Sequence, residues 1–130
     1  RLIVHNRTGE RAKKLVTEVS QYFPKTKIEA VSLQTLQETP IDLLVNTTSV
    51  GMSSSDIPVD LTKCRKINLL ADIIYGTKQT SLLNQAEVLG ISALNGIGML
   101  LYQGCEAFSF WTGEKAPEEV MRNQLLSLID

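Results

Sequence analysis

Residues Ile41 to Asn46 form a nearly continuous apolar run, and Asn68 to Ile74 form a second. Runs of this kind belong to strands of a parallel sheet covered on both faces. Between and around them lie stretches with helical spacing, which is the alternation of a parallel sheet with right-handed crossovers. Leu2 to His5 reads as a strand. Gly9 to about Tyr22 reads as an amphipathic helix, with Ala12, Leu15, Val16 and Val19 at helical spacing and Pro24 closing the unit. Lys27 to Val31 is a short strand and Leu33 to Gln37 a short helix or turn. A loop rich in Ser, Asp and Pro runs from Ser49 to about Pro58. Thr80 to Leu89 is a helix ended by Gly90, and Ile91 to Leu94 is the last strand. Gly96 leads into a long apolar helix reaching Trp111. After Thr112, Gly113 and Pro117 an amphipathic helix runs to Ile129.

A length of 130 residues suits about one domain and is enough to bury a real core. The net charge of −1 gives no basis for a nucleic-acid or membrane-surface partner. No apolar run approaches the ~20 residues that span a bilayer, and no secretory signal is visible, so the expected location is cytoplasmic. Cys64 and Cys105 lie far apart in a chain with a single histidine, which supports neither a zinc site nor a disulfide framework. Cys105 is expected to pack in a helix. Arg1, not methionine, opens the chain directly on a strand, so a piece of a longer protein is expected.

The segment Ile3-Val4-His5-Asn6-Arg7-Thr8-Gly9-Glu10-Arg11 drives an apolar strand into a polar turn carrying two arginines. In a doubly wound dinucleotide-binding fold the second strand ends beside the adenosine ribose. An acidic residue there grips the 2′-hydroxyl of NAD, whereas arginine accommodates the 2′-phosphate of NADP. Arg7 and Arg11 offer planar forks to phosphate oxygens, Thr8 offers a hydroxyl, and the adjoining helix offers unpaired N–H groups. The plainer alternative is a strand, a helix capped by Thr8, and two solvated arginines. Gly96-Ile97-Gly98 superficially resembles the pyrophosphate fingerprint, but Leu101 stands where a small residue is needed, and no ribose-reading residue comes about 20 positions on. A tight strand-to-helix turn is the better account of it. Such a turn still lets a planar ring approach the backbone closely.

Four motifs in order then carry a resemblance: Asn6-Arg7-Thr8 with Arg11; Asn46-Thr47-Thr48-Ser49-Val50-Gly51-Met52; Asp72-Ile73-Ile74-Tyr75 with Thr80; and Asn95 to Leu100 with Gln103, Ala107, Phe108 and Trp111-Thr112-Gly113. Together they are similar to the C-terminal portion of shikimate dehydrogenase, from Leu2 to the final helix. The resemblance implies a Rossmann-like, doubly wound α/β parallel sheet lacking its first strand, with C-terminal helices after it. Residues 1–130 would be one partial NADP-binding domain, with sheet and crossover helices to about residue 95 and C-terminal helices over 96–130.

The resemblance also implies roles. Asn6, Arg7, Thr8 and Arg11 fall where the family holds the adenosine phosphate of NADP, Thr48 and Ser49 close under the cofactor, and Ile73 and Gly96 against the nicotinamide. Tyr75 and Gln103 match the tyrosine and glutamine that reach shikimate. Taken singly, Tyr75 could be a strand-end aromatic at an interface, and Gln103 part of a polar stripe with Glu106 and Ser109. The reaction implied for the complete enzyme is reversible reduction of 3-dehydroshikimate to shikimate with NADPH, in aromatic amino-acid (chorismate) biosynthesis. The expected partner is this small-molecule substrate, with no nucleic acid and no membrane; a homodimer is the one assembly left open.

The chain departs from the family at Thr77, where many members have proline, and at Asn46-Thr47-Thr48, where Asn-Ala-Thr is common. The Gly-rich pyrophosphate loop, the first strand and the substrate domain with its catalytic lysine and aspartate have no counterpart here, so no catalytic residue and no metal ligand is assigned. In the usual strand order the first strand lies between the second and the fourth. Its loss splits the sheet and leaves Leu2 to His5 and Ile41 to Asn46 each with a bare edge. This chain alone is accordingly expected to bind NADP poorly and turn over nothing. Alternative functions are a quinate/shikimate dehydrogenase, against which Arg7 and Arg11 argue mildly, a bifunctional protein in which this region comes after a dehydratase domain, and a non-catalytic nucleotide-binding module.

Overall fold

The computed structural model describes residues 1–76 and 79–128. Thr77 and Ile129, the expected end of the last helix, lie outside the described residues. The chain runs β1 (Leu2–Val4), α1 (Gly9–Ser20), β2 (Ile28–Ala30), α2 (Leu33–Glu38), β3 (Ile41–Asn46), a 3-10 turn (Leu61–Lys63), β4 (Ile67–Asp72), α3 (Ser81–Val88), β5 (Ser92–Leu94), α4 (Ile97–Thr112) and α5 (Glu118–Leu126). The alternation expected from the apolar runs is present, and the strand pairings are parallel. The 3-10 turn was not expected from the sequence. Two compact units form: Arg1–Pro40 with Leu61–Lys66, and Ile41–Asp60 with the described residues from Ile67 onward.

In the first unit β1 pairs with β2, Leu2 opposite Ile28 and Val4 opposite Ala30, with α1 as the crossover. Ala12 is the buried residue of α1, and Val16 and Val19 are half-buried; Leu15, expected on the same apolar stripe, is exposed at its margin. Thr8 occupies the N-cap position of α1, yet its side chain makes no capping bond, contrary to the capped-helix alternative. Its backbone N–H is instead taken by Asn6 Oδ1 at 2.8 Å. In α2 the cap is a real one, with Ser32 Oγ accepting from Thr35 N at 3.1 Å. Leu36 and Leu61 are buried, and Arg65 N donates to Gln37 O at 2.7 Å. His5 sets Nδ1 3.1 Å from Val31 O, a pairing in which that nitrogen carries the proton.

In the second unit the strand order is β3-β4-β5, with Leu43 opposite Leu69 and Leu70 opposite Ala93. Helix α3 carries the chain from β4 to β5 and packs on both, burying Leu70, Leu82 and Ala86 completely or nearly so. Each buried leucine contributes about 1.5–3 kcal/mol. Gly90, at φ +67°, ends α3 in the left-handed region where a side chain is disfavoured. Helices α4 and α5 pack on each other, Leu101 is buried, and Cys105 Sγ rests 3.8 Å from Met121 Sδ, so Cys105 does pack in a helix.

The split sheet is also present: among the described residues β1 pairs with β2 alone and β3 with β4 alone. Coverage of β3 on both faces is not. Register partners of parallel strands share a face, so Leu43, Val45, Leu69, Ala71 and Leu94 lie opposite the side that buries Leu70. On that second face Leu43 is 52% exposed, Val45 43% and Leu94 57%. Ile41 and Ile67, at the start of that same face, are buried, so the second face of the β3–β4 pair is covered at one end only, while α3 packs on β4 and β5.

Candidate functional site

The carboxyl ends of β3 and β4 are joined by a buried polar network. Asn46 and Asp72 are register partners at the last position of each strand, and both are buried. Asn46 Nδ2 donates to Asp72 Oδ1 at 3.0 Å, Ile74 N donates to the same oxygen at 3.2 Å, and Thr80 Oγ1 donates to Oδ2 at 2.7 Å. Thr80 is also the N-cap of α3, accepting from Leu83 N at 3.2 Å. One carboxylate thereby ties two strand ends to the start of the crossover helix. Buried polar atoms demand such partners, and among the described residues no buried side-chain nitrogen or oxygen lacks one.

The network fixes the turn beyond each strand. After β3, Asn46 Oδ1 accepts from Thr48 N at 3.0 Å and from Thr48 Oγ1 at 2.8 Å, which holds the exposed Thr48-Ser49 turn. After β4, Ile73 N donates to Asn46 O at 3.2 Å and Ile74 O accepts from Gly96 N at 3.1 Å. Gly96 is buried and begins α4. A Cβ there would stand 2.0 Å from Ile73 O and 2.9 Å from Ile74 O, so only glycine lets these two segments meet. The tight strand-to-helix turn read from the sequence is therefore present.

Two clefts open at this rim, where open parallel sheets take their ligands. One, of about 340 Å³, is lined by Tyr75, Thr80, Leu83, Asn95 and Ile97 among others. The other, of about 570 Å³, runs along Gly51, Met52 and Ser53 and shares Tyr75 and Thr80. Tyr75 is half-exposed and lines both, beyond the end of β4 instead of within it. Thr48, Ser49, Ile73 and Gly96 border the rim without lining either cleft. Gln103 is exposed two turns along α4 from Gly96 and lines neither cleft; of the stripe it would share, Ser109 Oγ is engaged with Ala116 N at 3.2 Å.

In the first unit the turn after β1 brings Asn6, Arg7, Thr8 and Arg11 together at the start of α1, all exposed. Arg11 N donates to Thr8 O at 2.9 Å. The acidic residue of the first turn, Glu10, pairs with Lys13 at 2.8 Å and holds the Lys13 ammonium pKa above its usual range. Among the described residues neither Arg7 nor Arg11 has a carboxylate partner. With the Thr8 hydroxyl uncommitted by capping, this corner presents two guanidinium forks, a hydroxyl and a helix N-terminus, a donor set chemically fitted to a phosphate ester.

Asp72, Asn46 and Thr80 stood inside the motifs without a role assigned to them. Asn46 does end the first apolar run, but Asp72 lies inside the second run, Asn68 to Ile74, and Thr80 reads from the sequence as the first residue of its helix, not its cap.

Residues 96–126 match the family described as Shikimate 5'-dehydrogenase C-terminal domain. A shikimate dehydrogenase (NADP(+)) of Magnetococcus marinus is 36% identical over 129 residues, covering 96% of this chain and 45% of the relative. A Thermus thermophilus shikimate 5-dehydrogenase, solved in complex with NADP(H) and shikimate, superimposes with TM-score 0.80 at 30% identity over 97% of this chain and 45% of that one. A Corynebacterium glutamicum quinate dehydrogenase, solved in complex with NAD, gives TM-score 0.85 at 26% identity over 98% and 46% of the two chains. The chain thus spans a little under half the length of the proteins it matches. In sequence and in fold it is similar to the C-terminal portion of shikimate dehydrogenases.

Proposed function

We propose that this chain is the NADP-binding portion of a shikimate dehydrogenase, one partial Rossmann domain over residues 1–130 with C-terminal helices from residue 96. The observation that carries the cofactor choice is the pair of exposed guanidiniums at the turn into α1, Arg7 and Arg11, which have no carboxylate partner among the described residues. In this reading Asn6, Arg7, Thr8 and Arg11 hold the adenosine phosphate, while Thr48, Ser49, Ile73 and Gly96 border the rest of the cofactor. Tyr75 and Gln103 serve the substrate, shikimate or 3-dehydroshikimate. Bound NADPH supplies the hydride. The residues of this chain bind and orient; Asp72, Asn46 and Thr80 keep the rim in shape, and the proton-transfer groups lie elsewhere in the family's architecture. The same reading puts the protein in the cytoplasm and leaves a homodimer open; among the described residues no helix is long and apolar enough to cross a membrane.

Titration of the full-length protein with NADP+ and NAD+, and then an assay of shikimate oxidation, tests this directly. NADP+ preference with turnover supports the reading. NADP+ affinity without turnover identifies a non-catalytic module. NAD+ preference with quinate turnover favours the second reading, which the likeness to the Corynebacterium glutamicum enzyme keeps in play and against which the arginine corner argues.

A further inference from the structure

We propose that Asp72 is a positioning residue which, through Asn46, presents the Thr48 hydroxyl to the cofactor as a hydrogen-bond acceptor, so that Thr48 meets a ligand hydroxyl or amide N–H and not a phosphate oxygen. This rests on the NADP-binding reading of the chain.

A carboxylate only accepts, and Asp72 is the target of three donors: Asn46 Nδ2, Thr80 Oγ1 and Ile74 N. The Asn46 amide can face it only with its NH2 group. Its Oδ1 is therefore turned toward the loop, where it takes both Thr48 N at 3.0 Å and Thr48 Oγ1 at 2.8 Å. A hydroxyl has a single proton, and that of Thr48 is committed to Asn46. Of its two lone pairs, one accepts from Val50 N at 3.2 Å. What remains for a ligand is one lone pair, and phosphate oxygens, being acceptors, gain nothing from it. Turning the amide over would set Asn46 Oδ1 against the carboxylate and Nδ2 against Thr48 N, two repulsive contacts at once. With Asp72 1% exposed and Asn46 5%, solvent has little access to soften either. The polarity of an exposed hydroxyl is thus set from beneath, one residue removed.

The test uses the full-length protein and NADP+. Asp72→Ala takes away the acceptor at which Asn46 Nδ2 is aimed, and should raise the dissociation constant of NADP+ about tenfold. Thr48→Val should do the same, Thr48→Ser should restore binding, and Asp72→Ala with Thr48→Val together should lose no more than either alone. Affinity for shikimate should hold, which a general collapse of the rim would not allow. If Asp72→Ala does not fold, Asn46→Ala interrupts the same relay and carries the same expectation. The 3-acetylpyridine analogue of NADP+, lacking the carboxamide N–H, identifies the donor. A Thr48→Val loss that vanishes with the analogue assigns the carboxamide, and one that persists assigns a ribose hydroxyl. Additive losses, or unchanged affinity in Thr48→Val or in Asp72→Ala, overturn the positioning role. No NADP+ binding by the unaltered protein overturns the cofactor reading itself.

Discussion

Two threonines stand at helix N-caps in the two units, and they behave oppositely. Thr8, at the start of α1, is exposed and caps nothing with its side chain. Thr80, at the start of α3, is 7% exposed, accepts from Leu83 N and donates to Asp72. The first lies in a corner whose chemistry is charge offered to solvent; the second lies in a floor whose hydrogen bonds are all used internally. Residues that read a ligand must keep their groups free. Residues that hold the reading geometry must have none to spare. The contrast says which substitutions should alter binding alone and which should alter the protein.

The sharpest break is expected at Gly96. Gly96→Ala places a methyl 2.0 Å from the Ile73 carbonyl oxygen, an overlap that backbone on both sides must move to relieve. The loss should reach about 3 kcal/mol in the folding free energy, read from denaturant unfolding of the full-length protein. A loss below the resolution of that measurement would show that the turn after β5 can shift freely, and would weaken the case for a rigid rim.

Next in size is the pair of threonines. Thr80→Val removes the α3 cap and one donor to a buried carboxylate, with an expected cost of about 2 kcal/mol. Thr8→Val removes no intramolecular bond of its side chain and should stay within about 0.5 kcal/mol of the parent. Equal losses would erase the distinction between the two regions. For binding the order should reverse. Arg7→Ala, at an exposed position, is expected to weaken NADP+ by about 1–2 kcal/mol while leaving NAD+ nearly unchanged. Parallel titrations of both coenzymes check it, and equal loss of both would remove Arg7 from the role of phosphate reader.

What could be read from the chain divides along the same line. Strand β3 was legible to its end residues, because an apolar run bounded by polar turns has few other interpretations. Gly90 marked the end of α3 for a local reason that needs no neighbour. The arginine corner was legible because charged residues on a turn declare themselves in sequence. The Asn46–Asp72–Thr80 network was not, since nothing local says that positions 46 and 72 are register partners until the parallel pairing of β3 with β4 is known. The exposure of Leu43 and Val45 was misread for a related reason: periodicity reports how many faces a strand is built to bury, and packing decides how many are covered.

The smallest effect belongs to the first unit and to its surface charges. Glu29 on β2 is held below the usual carboxylate range, first by its hydrogen bond to Lys27 at 3.0 Å and also by Arg1 at 3.0 Å, with partial desolvation working the other way. A carboxylate with a lowered pKa in the folded state stabilises the fold at pH values above its unfolded pKa. That contribution is lost as pH falls through the folded value. Comparison of Glu29→Gln with the parent should therefore show a small deficit near neutral pH that closes on acidification below the carboxylate range. The deficit should also fade at about 1 M salt, where exposed charges are screened over ~3 Å. A deficit that persists in acid would mean that Glu29 acts through packing beside β1 and not through its charge. The first unit would then have a fixed polar framework of its own, and the contrast with the second would narrow to the arginine corner.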